Sequence, residues 1–170
     1  MHKTWMTVPA ALLAVISTLV SAQAAPPNPG QATPLPDLTS APFIVIAGKN
    51  VSWGNSISVD AKQARPAVGG VCEFPVQHNV RNLGKAASGP FQTRFANSAV
   101  AGDFTRQWPP IGPGQTSTQT DILRLRSGNN TLTLHIDPAN QVHESNEGNN
   151  QYRVTIIVNG RCEPGKGTTR

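Results

Sequence analysis

The residues best equipped for chemistry in this chain lie in one polar stretch, which holds Asp137, Asn140, Glu144, Asn146, Glu147, Asn149 and Asn150. Carboxylates mixed with amides suit Ca²⁺, which takes six to eight oxygen ligands in a flexible geometry. The D-x-[DN]-x-[DN]-G rhythm of an EF-hand is missing, so a Ca²⁺ site here would be of another kind. The same side chains suit a second task. Asp and Asn bond the backbone of turns, and with Val142 tucked inward as a plug the stretch would hold itself together without metal. Both readings stand: calcium ligation or loop structuring by Asp137, Asn140, Glu144, Glu147, Asn149 and Asn150. Apart from Ca²⁺, the sequence calls for no cofactor.

His143 beside Glu144 and Glu147 could in principle act as an acid and base. A hydrolase would add a nucleophile motif such as G-x-S-x-G, and none is present. A glycosidase needs two carboxylates flanking a cleft, which a small domain with few acidic residues hardly provides. The reading is therefore non-catalytic. Zinc is disfavoured too, because His78, His135 and His143 show no metal-ligand spacing. Trp53 and Trp108 would stack on a sugar if exposed and would serve as core if buried; with so few aromatic residues in the chain, burial is the expected state.

Cys72 and Cys162 are the two cysteines. In an oxidising compartment they are expected to pair, and without a C-x-x-C spacing redox work is not indicated. Such a compartment is what the N-terminus points to. Lys3 gives a positive start, Val8 to Val20 is almost wholly apolar but short for a membrane span, and Ala22-Gln23-Ala24 forms a small-x-small cleavage site. Residues 1–24 are thus expected to be a signal peptide, with cleavage before Ala25 and a secreted or periplasmic product. No Cys follows the apolar run, and no later segment is apolar enough to insert in a membrane.

Residues 25–36 carry five prolines and no charge and read as a linker. Residues 37–163 form the expected domain, and residues 164–170 a flexible tail. Without Lys3 the net charge is +4, and the basic residues are scattered. That excludes a nucleic-acid stripe; Arg124 and Arg126 do not make one.

The elements that must carry these residues are strands. Fifteen glycines, fifteen prolines and 14% charged residues suit short strands and many turns. Phe43 to Ala47 is a short apolar run, and Val51 to Val59 reads as one alternating strand. Asp60 to Gly70 is irregular. Cys72, Phe74, Val76, His78 and Val80 share one face of the clearest strand, with Pro75 on the other face marking an edge or a bulge. Phe91 to Phe95, Thr116 to Leu125, Leu132 to Ile136 and Tyr152 to Val158 follow, with a hairpin signal at Ser127 to Asn130. About seven strands and no helix predict an all-β sandwich with Greek-key connections. In it the cysteines would join an early strand's start to the last strand's end, as antiparallel neighbours allow.

The stretch from Leu132 to Ile156 resembles the CARDB family, the cell-adhesion-related modules of bacteria. The matching pattern is Asp137, Asn140, Val142, Glu144, Glu147, Asn149 and Asn150 between two alternating strands. Val80-Arg81-Asn82-Leu83-Gly84, Ile111-Gly112-Pro113-Gly114-Gln115 and Pro36-Asp37-Leu38 resemble the family's shorter signatures. The Asp60 to Gly70 insert and the cysteine pair depart from it. The resemblance implies an immunoglobulin or fibronectin III-like sandwich that binds or spaces rather than reacts. The expectation is an exported adhesion or binding module of the cell envelope or secretome, with a protein or glycan partner. Two alternatives are a Ca²⁺-dependent carbohydrate-binding module and a spacer or accessory subunit of an envelope assembly.

Overall fold

The alternation in Val71–Asn82 organises the molecule, because its inward set has to be covered by a second layer. In the computed structural model, which describes residues 32–98 and 103–163, eleven strands form two sheets. The expected signal peptide, most of the linker and the tail lie outside the described residues. In chain order the strands are β1 Leu38–Ser40, β2 Phe43–Ile46, β3 Lys49–Ser52, β4 Ser56–Asp60, β5 Arg65–Ala67 and β6 Val71–Asn82. Then come β7 Phe91–Asn97, β8 Phe104–Trp108, β9 Thr116–Leu125, β10 Gly128–Ile136 and β11 Gln151–Asn159.

β6 is the spine of the first sheet. β9 runs antiparallel along one side of it, from Cys72↔Leu125 to Arg81↔Thr116. The other side is shared by three short strands in turn: β5 opposite Val71 to Glu73, β2 opposite Val76 and Gln77, and β1 opposite Val80 to Asn82. The second sheet has the order β4-β11-β10-β7-β8, antiparallel except for the parallel β4–β11 pair. Phe74, Val76 and Val80 bury their side chains in the same core as Leu132, Leu134, Ile136, Val154, Ile156 and Val158. The all-β sandwich is thus as the pattern required.

Several local expectations change. Three strands lie outside the expected set, β1 and β5 of three residues each and β8 of five, and with the division described next they raise the total to eleven, since alternation is illegible over so short a run. The single strand expected from Val51 to Val59 is two. Gly54 takes φ +84, and its N–H bonds Arg153 O at 2.7 Å, so the chain leaves the first sheet and joins the second there. Pro75 is neither at an outer edge nor on a bulge. It sits where β5 hands over to β2, and its carbonyl still accepts from Ala47 N at 2.9 Å. A missing N–H is harmless in that gap. Cys72 and Cys162 are bonded. They do not join neighbours in one sheet; they tie β6 of the first sheet to the chain just beyond β11 of the second.

His78 is fully buried, edge-on to the rings of Phe95 and Trp108. It makes no hydrogen bond: neither ring nitrogen has a partner, and Asp121 Oδ2 lies 3.9 Å from Nδ1. Burial holds its pKa down at about 4, against its ordinary 6.5; Asp121 opposes that shift and Arg106 adds to it. Unfolding lets the imidazole take up a proton below its ordinary value. The His78 contribution to stability is therefore full at neutral pH and is lost as pH falls from 6.5 through about 4. Urea titrations at pH 7 and pH 4.5 should show His78→Phe gaining stability relative to the parent on going to the lower pH; an equal change in the two proteins would clear His78 of the effect. Replacing both cysteines by serine releases a loop of 90 residues, and chemical denaturation should then report a loss of up to about 4–5 kcal/mol.

Candidate functional site

The polar stretch joins β10 to β11 at one end of the sandwich, and local chemistry shapes it first. Asp137 and Asn140 both adopt positive φ, 42° and 52°, the conformation that Asp and Asn tolerate best. Asp137 N donates to Gln92 O at 2.8 Å, and Asp137 Oδ2 accepts from Val142 N at 2.7 Å. That bond turns Val142 into the core, where it is 5% exposed. Further on, Asn146 Oδ1 accepts from Gly148 N at 3.1 Å and opens a short 3₁₀ turn, Glu147–Asn149. Glu147 Oε1 reaches back to Glu144 N at 2.9 Å.

Glu144 is the centre of the second half. Its side chain is buried; Oε2 accepts the backbone N–H of Leu38, and Oε1 accepts from Asn150 Nδ2 at 3.0 Å. Burial lifts its pKa to about 7, against the two hydrogen bonds, with the Glu147 and Asp137 charges adding to the rise. Asn149 Nδ2 donates to Asp37 Oδ1 at 2.8 Å, and Ser145 N donates to Pro36 O at 2.8 Å. The loop therefore clasps the segment from Pro36 to Leu38 where it enters β1.

Asn82, at the end of β6, clasps the same segment from the other side. It is fully buried; its Oδ1 accepts from Asp37 N at 3.0 Å and from Gly84 N at 2.9 Å. Its Nδ2 donates to Ala86 O and Ile111 O, both at 2.8 Å. Its backbone bonds Gly114 and Gln115, at 2.8 and 3.0 Å. The four separate signatures noted in the sequence thus meet around one backbone segment. Asn82 as their hub was missed, although the Val80 to Gly84 pattern was its signal.

The six oxygen-bearing candidates split into two groups. Glu144 and Asn149 face the clasped segment. Asp137, Asn140, Glu147 and Asn150 instead line a cavity of ≈ 390 Å³, together with His135, Pro138 and Gln151. His143 is exposed and makes no third member of an acid–base set with the two glutamates. Among the described residues, no group of three or more His, Cys, Asp or Glu is placed to hold a metal ion.

Trp108 is 1% exposed, stacked on Phe91 at 6.0 Å with its indole N–H on Thr93 Oγ1 at 3.0 Å, so it has no face for a ligand. Trp53 is half-buried; its ring meets Tyr152 at 5.4 Å and its N–H bonds Ser40 Oγ and Ala41 O. The sequence also missed a second cavity of ≈ 390 Å³ beside the disulfide. The Asp60 to Gly70 insert helps to line it, with Lys62, Arg65, Arg161, Asp60 and Glu163 on its walls.

Asn82→Ala would strand four buried or half-buried backbone groups, so equilibrium unfolding should report a loss of about 3–5 kcal/mol. In Gly84→Ala the new Cβ would meet Leu35 O at 2.4 Å, and the cost should be about 1–3 kcal/mol. Losses below half a kcal/mol in both variants would mean that the clasp carries little (about 0.5 kcal/mol is the ordinary scatter of surface changes).

A CARDB family model matches residues 56–154, from the start of β4 into β11. Among curated proteins, none matches the chain. Two solved structures are similar to it. One is a crystal structure of the CARDB domain of a Pyrococcus furiosus protein in complex with di-metal ions. It shares 20% identity over 75% of this chain and 99% of that chain, with a TM-score of 0.44. The other is a solution NMR structure of that domain, with 21% identity over 74% and 98% and a TM-score of 0.44. By the family match, which takes in β4 to β10, the start of β11 and the whole Asp137 to Asn150 loop, this chain belongs to the CARDB family.

Proposed function

We propose that the protein is an exported, non-catalytic binding or adhesion module of the bacterial cell envelope or secretome. Its partner would be a protein or glycan at the cell surface or within the envelope. The observation that carries this reading is membership of a cell-adhesion-related family over residues 56–154. The chemistry of the loop supports it. Glu144 and Glu147, the natural acid and base, are engaged with the protein's own backbone, and a carboxylate so engaged is poorly placed to move a substrate's protons.

Export is supported by the apolar run and small-x-small site near the N-terminus, and by the disulfide, which persists in oxidising compartments. Among the described residues, no helix is long and apolar enough to cross a membrane. The contact surface would be a sheet face. The outer side of β9 and β6 exposes Thr116, Thr118, Thr120 and Ile122 beside Pro75, Gln77 and Arg81. Among the described residues β9 has β6 as its one strand partner, so its far edge would also offer backbone groups for recognition.

The test is capture from envelope extracts on the immobilised mature protein, with protein and glycan fractions assayed separately. Saturable retention of one component, displaced by free domain and persisting at 0.5 M salt (where charge attraction is screened within about 4 Å), is the expected result. Retention of nothing from either fraction, or conversion of a retained component into product, would overturn the proposal.

A further inference from the structure

Two of the residues that line the cavity between Ile136 and Gln151 carry buried acceptors without donors. Asp137 is 4% exposed, and its Oδ1 has no hydrogen-bond partner; Asn150 Oδ1, also buried, has none. The Asn150 amide cannot simply be turned over. Its Nδ2 already donates to Glu144 Oε1 at 3.0 Å and Glu147 Oε2 at 3.4 Å, and reversing it would set an oxygen against two carboxylates. Both orphaned atoms therefore stay acceptors, and both residues line the same cavity. A buried acceptor without a donor is costly, and the deficit has to be met by something that enters.

Charge narrows the choice. Glu147 lies on the cavity wall with Asp137, and Asn140 and Gln151 add two amide side chains. Among the described residues, no Lys, Arg or His comes within ion-pair distance of Asp137, Glu144 or Glu147. Two carboxylates with amide oxygens make a hard ligand set. Zinc would want Cys or His, and the one cavity-wall histidine, His135, has no such companion there. Mg²⁺ demands a near-ideal octahedron, whereas Ca²⁺ accepts irregular sets of oxygens completed by water.

We propose that this cavity binds Ca²⁺, with Asp137 Oδ1 and Asn150 Oδ1 as the buried ligands and Glu147 closing the site from the exposed side. The inference does not depend on the adhesion reading. Its affinity would be that of extracellular calcium modules, a Kd of about 10⁻⁴–10⁻³ M, because the site supplies just two carboxylates.

The test uses the purified mature chain, freed of metal by a chelator, with Ca²⁺ itself as the probe in titration calorimetry and thermal melting. Saturable heat with a Kd near the millimolar range, and a rise in Tm of a few degrees at ten times the Kd, is the expected result. Glu147→Gln keeps the acceptor that Glu144 N uses. It gives up the longer bond from Asn150 Nδ2, so it should fold with a Tm in chelator within a few degrees of the parent, and bind Ca²⁺ at least about tenfold more weakly, since one of two carboxylates is gone. No saturable heat and no change in Tm would overturn the proposal. So would an equal rise in Tm from NaCl at matched ionic strength, which is screening alone, or a Glu147→Gln protein that binds Ca²⁺ as tightly as the parent.

Discussion

The structure depends on how the backbone amides of Asp37 and Leu38 are satisfied. One is bonded to the buried side chain of Asn82 and the other to the buried carboxylate of Glu144. These two acceptors come from different layers, Asn82 from the spine of the first sheet and Glu144 from the loop of the second. Each also binds other chain segments: Asn82 holds Gly84, Ala86 and Ile111, and Glu144 holds Asn150. A buried polar network of this sort is favourable as long as every member is paired, because an orphaned partner in low dielectric costs more than a bond returns. It therefore fixes where β1 enters, how the β10–β11 loop folds back, and how the turn at Ile111 sits against β6.

This arrangement gives the family's signature a physical meaning. Asp37, Asn82, Gly84, Gly114, Gln115, Glu144 and Asn149 are scattered along the chain, yet each touches the same few residues. Gly84 belongs to the set because Leu35 and Pro36 pass too close for any side chain. In this chain the signature is in large part a fold determinant. The irregular Asp60 to Gly70 stretch and the disulfide adjoin each other at the second cavity, where Cys72 is part of the wall.

The loop illustrates how one short stretch can serve two ends. Glu144, Ser145 and Asn149 turn toward the clasped segment, and Asp137, Asn140, Glu147 and Asn150 turn toward the cavity. Asn150 belongs to both, since its amide N–H₂ is spent on the glutamates while its oxygen is left without a donor. Structural bonding and ligand binding are therefore not rival descriptions of these residues.

The sequence alone determined the layer architecture. Alternation along Cys72 to Val80, Leu132 to Ile136 and Tyr152 to Val158 assigns each side chain to a face, and a face of that composition has to be covered. It also delimited the polar loop, which runs between Ile136 and Gln151 as the pattern required. Tertiary structure decided the rest. The division of Val51 to Val59 between two sheets depends on the long-range bond from Gly54 to Arg153, and the tolerance of Pro75 depends on which strand lies opposite it. The roles of Asn82 and Glu144 depend on donors 45 and 106 residues away. Periodicity is a local property and can be read in a line; a hydrogen-bond partner at that distance has no local trace, so it becomes visible once the layers are stacked.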